Sequence, residues 1–136
     1  MKATALAHPN IALVKYWGKR DDALILPHQS SLSLTLAPLS VTTTVEFGVA
    51  SDQVEINGHT AKGSERDRVL RVLEAVRAEA PGKLGPARMV SRGDFPAAAG
   101  LASSAAGFAA LAVAARAAAG LKADAKVASM LSRLGS

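Results

Sequence analysis

The hydrophobic period of this chain changes once, near Ser64, and that change limits the folds open to it. Before Ser64 the apolar residues recur in short, partly alternating runs that suit a pleated sheet. Lys2 to Ala7 and Ile11 to Trp17 are two such runs, and the polar stretch Gly18 to Asp22 reads as a turn. Leu24 to Leu26 resumes until Pro27, and Ser31-Leu32-Ser33-Leu34-Thr35-Leu36 alternates strictly, which predicts a strand with one buried face. Val41 to Val49 and Gln53 to Ile56 follow, and Asn57-Gly58 is a strong hairpin signal. After Ser64 the spacing becomes helical: Val69, Leu70, Val72, Leu73 and Val76 recur with Arg and Glu between them. Ser64 with Asp67 is the expected N-terminal cap, and Pro81-Gly82 the stop. Ala87 to Val90 reads as one more strand, leading into a loop over Ser91 to Asp94. A second helix is predicted from Ser103 or Ser104 to Ala119, closed by Gly120, and a third from an Asp124 cap through Leu131. Strands first and helices after predict an α+β fold, a mostly antiparallel sheet covered by helices within a single partial domain, residues 1–136.

Composition narrows the chemistry. The chain has no cysteine, so disulfides, thiolate metal sites and a Cys nucleophile are excluded. Its histidines, His8, His28 and His59, are too scattered to suggest a zinc site or a catalytic triad. Sixteen Lys and Arg against eleven Asp and Glu give a net charge of +5, which suits an anionic partner. The basic residues form no run and carry no interleaved aromatics, so nucleic acid is not the expected partner. Phe95 to Ala115 carries no charge and is long enough to span a bilayer. Alanine contributes little insertion energy, and Pro96, Gly100 and Gly107 interrupt the run, so a buried helix is expected and no membrane partner. The N-terminus lacks the pattern of a signal peptide, and a cytoplasmic location is expected.

The stretch from Phe95 to Gly107 is the most informative. Small residues let a backbone approach a ligand closely. Where they open a helix, unpaired amides and the helix dipole favour phosphate. Ser103 and Ser104 would add hydroxyl donors, but a Walker A loop needs a lysine and none lies between Gly93 and Arg116. A bound phosphate would therefore need a cation from elsewhere in the chain. An alanine-rich core helix with a serine cap explains the same composition without any ligand.

The order of residues adds a resemblance. Pro96-x-x-x-Gly100-Leu101-x-Ser103-Ser104-Ala105 is similar to the phosphate loop of the GHMP kinases. Ala98 through Leu111 resembles mevalonate diphosphate decarboxylase in particular, as do Asn10 through Asp21 and the pair Leu26-Pro27 with Ser30 through Leu36. The resemblance implies the N-terminal portion of a GHMP-kinase fold that binds ATP, accompanied by Mg2+, and mevalonate 5-diphosphate. Such enzymes phosphorylate the tertiary hydroxyl and then release phosphate and carbon dioxide, leaving isopentenyl diphosphate. It further implies that Lys15 lies beside the reacting phosphoryl group, and that Tyr16 and Lys19 hold the substrate diphosphate. Arg66 would stand near the substrate, and Gly100, Leu101, Ala102, Ser103, Ser104, Ala105 and Ala106 would hold the ATP phosphates.

The sequence departs from the family in places: Ala97 stands where threonine is common, Asp94 where asparagine is common, and His28 in an asparagine position. Gly135-Ser136 resembles the start of a Gly-Ser-Gly-Ser-Ala-x-Arg segment, which would make Ser136 a substrate contact. The arginine of that segment and a later catalytic aspartate fall outside these 136 residues. The chain alone is therefore expected to lack decarboxylase activity. It is also expected to expose an apolar face that favours a homodimer or another association. Two further readings stay open, a related kinase of mevalonate or its monophosphate and a non-catalytic nucleotide-binding or assembly module.

Overall fold

A computed structural model describes residues 1–14, 18–24, 26–27, 30–96 and 103–136. Its main sheet has five strands: β1 (Lys2–Ala7), β6 (Val41–Phe47), β9 (Ala87–Gly93), β7 (Gln53–Ile56) and β8 (His59–Thr60), in that spatial order. All neighbours are antiparallel except β7 and β9, which run parallel because α1 (Gly63–Glu79) carries the chain back between them. Two smaller pairs stand apart, β2 (Asn10–Val14) with β5 (Leu32–Thr35) and β3 (Lys19–Asp21) with β4 (Leu26–Pro27). The expected mixed, mostly antiparallel fold is present.

Alternation does its work in β6. Val41, Val45 and Phe47 turn to the helical side with Thr43, while Thr42, Thr44 and Glu46 face away. Thr43 is fully buried but is satisfied by the Ser91 hydroxyl at 2.9 Å. Against this face lies α2 (Ser103–Ala118), and α3 (Ala125–Gly135) packs on both α1 and α2. The alanines of α2 let its backbone sit close to the strands, so a helix that is apolar nearly all round becomes the centre of the core. Among the described residues no helix is long and apolar enough to cross a membrane.

The ends of these elements follow local chemistry. Asn57 and Gly58 both have positive φ, as the two-residue turn between β7 and β8 requires. Gly120 has φ +73, and the bonds Leu121 N–H to Arg116 C=O and Gly120 N–H to Ala117 C=O close α2 in a Schellman motif. The Asp124 carboxylate accepts from the Lys126 and Val127 amides at 2.9 and 3.0 Å, which caps α3.

Several expectations are corrected. Lys19–Asp21 is a short strand rather than a turn, because it pairs with Leu26–Pro27. The helix after Thr60 begins at Gly63, with Ser64 inside its first turn and no side-chain cap at Lys62. The Ala61 amide bonds to Val54 C=O and holds the chain on the sheet almost to the helix start. Ser91 to Gly93 extends β9 instead of forming a loop, since these residues pair with Val41 to Thr43. The third helix continues to Gly135, past Leu131. Strand β5 has no buried face: Leu32 and Leu34 stay more than half exposed, as do Leu13 and Val14 on β2.

Candidate functional site

A cavity of about 170 Å³ opens where the N-terminus of α2 meets α1 and the ends of β7 and β9. From α2 it takes Ser103, Ser104, Gly107 and Phe108; from α1 it takes Glu65, Arg68 and Val69. Asn57, Ser91, Gly93 and Phe95 complete its polar and aromatic rim. The first turn of α2 has no acidic residue, so its unpaired amides and dipole leave positive potential at the cavity mouth.

Arg68 brings a guanidinium to the wall of this cavity. Its guanidinium carbon lies 5.6 Å from the centre of the Phe108 ring, and its Nε is buried without a hydrogen-bond partner among the described residues. Position 68 falls on the same helical stripe as Val69, Val72 and Val76, all buried. A charged residue in that phase was the signal available in the sequence, and reading the arginines only as spacers between apolar positions missed it. Glu65, one turn earlier, also borders the cavity, and its carboxylate stands 3.3 Å from His59 Nε2.

The strand end beneath the cavity is fixed from two sides. Asn57 Oδ1 accepts from the Gly93 amide at 2.9 Å, and the Asn57 amide donates to Ser91 C=O at 2.9 Å. Asp94 then holds the chain leading into residues 97–102. Its carboxylate accepts from the Ser40 amide at 2.7 Å and the Ser40 hydroxyl at 2.9 Å, and its own amide returns a bond to Ser40 C=O. Those donors, the Ser40 amide first, hold the Asp94 carboxyl below the usual aspartate range.

The expected site residues fall into separate groups. Ser103, half-buried, and Ser104, exposed, share the cavity, whereas Ala106 is buried in the core. Ala105 and Ser136 meet instead in an open groove of about 420 Å³ between α2 and α3, beside Ser132 and Arg133. Arg66 is half-buried on α1, and its charge acts on Asp52. Lys19 is placed by its backbone in β3, opposite Pro27. Lys15, Tyr16, Gly100, Leu101 and Ala102 lie outside the described residues.

A helix N-terminus with paired serines and an arginine thus share this small cavity with Glu65 and with the apolar side chains of Val41, Ile56, Met89 and Leu111. Comparison with known proteins gives that arrangement a family. The model of the diphosphomevalonate decarboxylase-like N-terminal domain matches residues 7–136. The chain belongs to this family.

The diphosphomevalonate decarboxylase mvd1 of Aspergillus fumigatus is 43% identical over 126 residues, covering 81% of this chain and 31% of the fungal protein. The phosphomevalonate decarboxylase of Haloferax volcanii is 41% identical over 138 residues, covering all of this chain and 42% of its own. Among solved structures, the mevalonate diphosphate decarboxylase of Enterococcus faecalis superposes with a TM-score of 0.87 at 44% identity, over the whole chain and 43% of that protein. ATP binding by the Enterococcus enzyme is described as mediated by mevalonate diphosphate. This decarboxylase-like N-terminal domain thus spans about two-fifths or less of the relatives it matches.

Proposed function

We propose that this chain forms the nucleotide-binding part of an ATP-dependent decarboxylase that converts a phosphorylated mevalonate to its isopentenyl product. The observation carrying the reading is the shared cavity of Ser103, Ser104 and Arg68 at the start of α2. ATP would lay its phosphates against the α2 amides and the two serine hydroxyls, with Gly100, Leu101, Ala102, Ala105 and Ala106 assigned to the same phosphates by the family motif. Arg68 would offset phosphate charge from the opposite wall, the task that a lysine performs in a Walker A loop. Mg2+ would come with ATP and would offset part of its phosphate charge.

The chemical step needs a fixed cation where charge builds on the transferred phosphoryl group, and Lys15 is assigned that place. Tyr16, Lys19, Arg66 and Ser136 are assigned to the substrate's phosphates and carboxylate, by hydrogen bond or by charge. Phosphoryl transfer to the tertiary hydroxyl makes a leaving group, and its loss with carbon dioxide leaves the alkene. We assign this chain, taken alone, binding rather than turnover in the cytoplasm. The exposed apolar side chains of β2 and β5 support self-association, which sedimentation over a range of concentrations checks.

Calorimetric titration of the 136-residue chain with ATP and Mg2+ tests the reading. Saturable binding, weakened about tenfold or more in Ser104→Ala, is expected for a phosphate held by that hydroxyl and its helix terminus. Binding that ignores the substitution would move the nucleotide elsewhere, and no binding by the unaltered chain would leave the cavity without its assigned ligand. The Haloferax relative, named for the monophosphate, motivates a second arm. Titrating mevalonate 5-phosphate beside the 5-diphosphate decides which substrate the chain prefers.

A further inference from the structure

Gly135 closes α3 against the aromatic wall of the cavity. A Cβ built on it would lie 2.2 and 2.3 Å from Cδ1 and Cε1 of Phe108, far inside contact distance. Its backbone is helical, without the positive φ that Gly120 shows, so conformational freedom does not account for a glycine here. Space does.

The ring it touches faces the cavity on another side. Phe108 is nearly buried, lines the cavity with Ser103 and Ser104, and carries the Arg68 guanidinium over its face. The end of α3 has little freedom to retreat. Arg71 on α1 donates to Leu134 C=O at 3.2 Å, and the Ser132 hydroxyl lies 3.3 Å from Phe108 C=O. A side chain at position 135 would therefore be accommodated by movement of the ring, and with it the cavity wall and Arg68.

We propose that Gly135 is a positioning residue for the nucleoside triphosphate cavity, its missing side chain allowing Phe108 to stand as the wall beneath Arg68. This rests on the nucleotide reading above and extends it to a residue outside the cavity. No atom of the ligand need touch Gly135.

A double-mutant cycle tests the proposal, with affinity for ATP and Mg2+ measured by calorimetry in the full chain. Gly135→Ala is expected to weaken binding about tenfold or more when Phe108 is present, and under about twofold in the Phe108→Ala background, where Cγ and the whole ring are gone and the clash is relieved. Equal losses in both backgrounds, or no loss in either, would overturn it. Should Gly135→Ala alone fail to fold, the comparison of Phe108→Ala with the double variant still decides. The two should melt together and bind alike, and a large gap between them defeats the proposal.

A readout without ligand separates the proposal from the nucleotide reading. The Arg68 guanidinium protons sit in the ring current of Phe108, so their NMR shifts should move on Gly135→Ala whether or not ATP binds. Unmoved shifts sink the positioning role. Moved shifts in a chain that never binds ATP sustain it and remove the nucleotide reading instead.

Discussion

Strands β6 and β5 both alternate apolar and polar residues, yet their fates differ. In β6 the alternation becomes burial, with Val45 at 0% exposure beneath α2. In β5, Leu32 and Leu34 keep 58% and 57% of their surface, and their partner strand β2 leaves Leu13 and Val14 equally open. Alternation makes one face of a strand suitable for burial, and a second layer is what completes it. The five-stranded sheet has that layer in α2, with α1 and α3 packed around it, while β2–β5 is a two-stranded antiparallel pair of the kind that gains little stability by itself.

Substituting leucines across this divide should give the widest separation. Leu73→Ala on α1 and Leu111→Ala on α2, each removing a fully buried side chain, are expected to cost about 2–5 kcal/mol in urea unfolding. Leu34→Ala on β5 should change stability by no more than about 0.5 kcal/mol. A large loss at Leu34 would show that the β2–β5 pair is covered in solution and would erase the contrast.

A polar anchor of the layered region comes next. The Asp52 carboxylate accepts from the Ala87 amide at the start of β9 and pairs with Arg77 at the end of α1. Burial pushes the Asp52 carboxyl up, but the Ala87 amide and the Arg77 guanidinium outweigh it and hold the group below the ordinary aspartate value. With the folded pKa below the unfolded one, the unfolded chain binds the proton more readily. The stabilisation is therefore fully present above about pH 4 and lost as pH falls through the folded value. Asp52→Asn should cost about 1–2 kcal/mol at neutral pH, with the gap narrowing in acid when melts are compared across pH.

A smaller effect tests the covering layer alone. Asp124→Ala removes the cap of α3 and should cost about 1 kcal/mol, read as a lower melting temperature. Amide exchange should respond in α3 and leave β2 and β5 as fast as before.

Much of this was legible beforehand, for physical reasons that differ by element. Asn57-Gly58 and Gly120 were readable because positive φ demands particular residues, and Asp124 because a carboxylate can reach two free amides. The strand at Lys19–Asp21 was not, since its three polar residues are extended only by pairing with Leu26–Pro27. Nor was the exposure of β5, because the pattern of one strand says nothing about what packs on it. At the candidate site, Ser103 and Ser104 were found from their order in a motif, whereas Arg68 needed the helix to turn it toward them. Gly135 looked like the start of a substrate-binding segment, and its contact with Phe108 depends on how α2 and α3 cross.

The order of strands in the main sheet also bears on how the chain is made. Strands β6 and β7 are consecutive in sequence, but β9 lies between them. On a growing chain the sheet cannot close until the residues up to Gly93 have been synthesised, and until then β6 and β7 each present an unpaired edge. Such late, non-local insertion slows folding and lengthens the time in which a nascent chain can pair with a neighbour. Yield in cells should therefore depend on translation speed and chaperone supply while β9 is awaited, more than on the final stability of the fold.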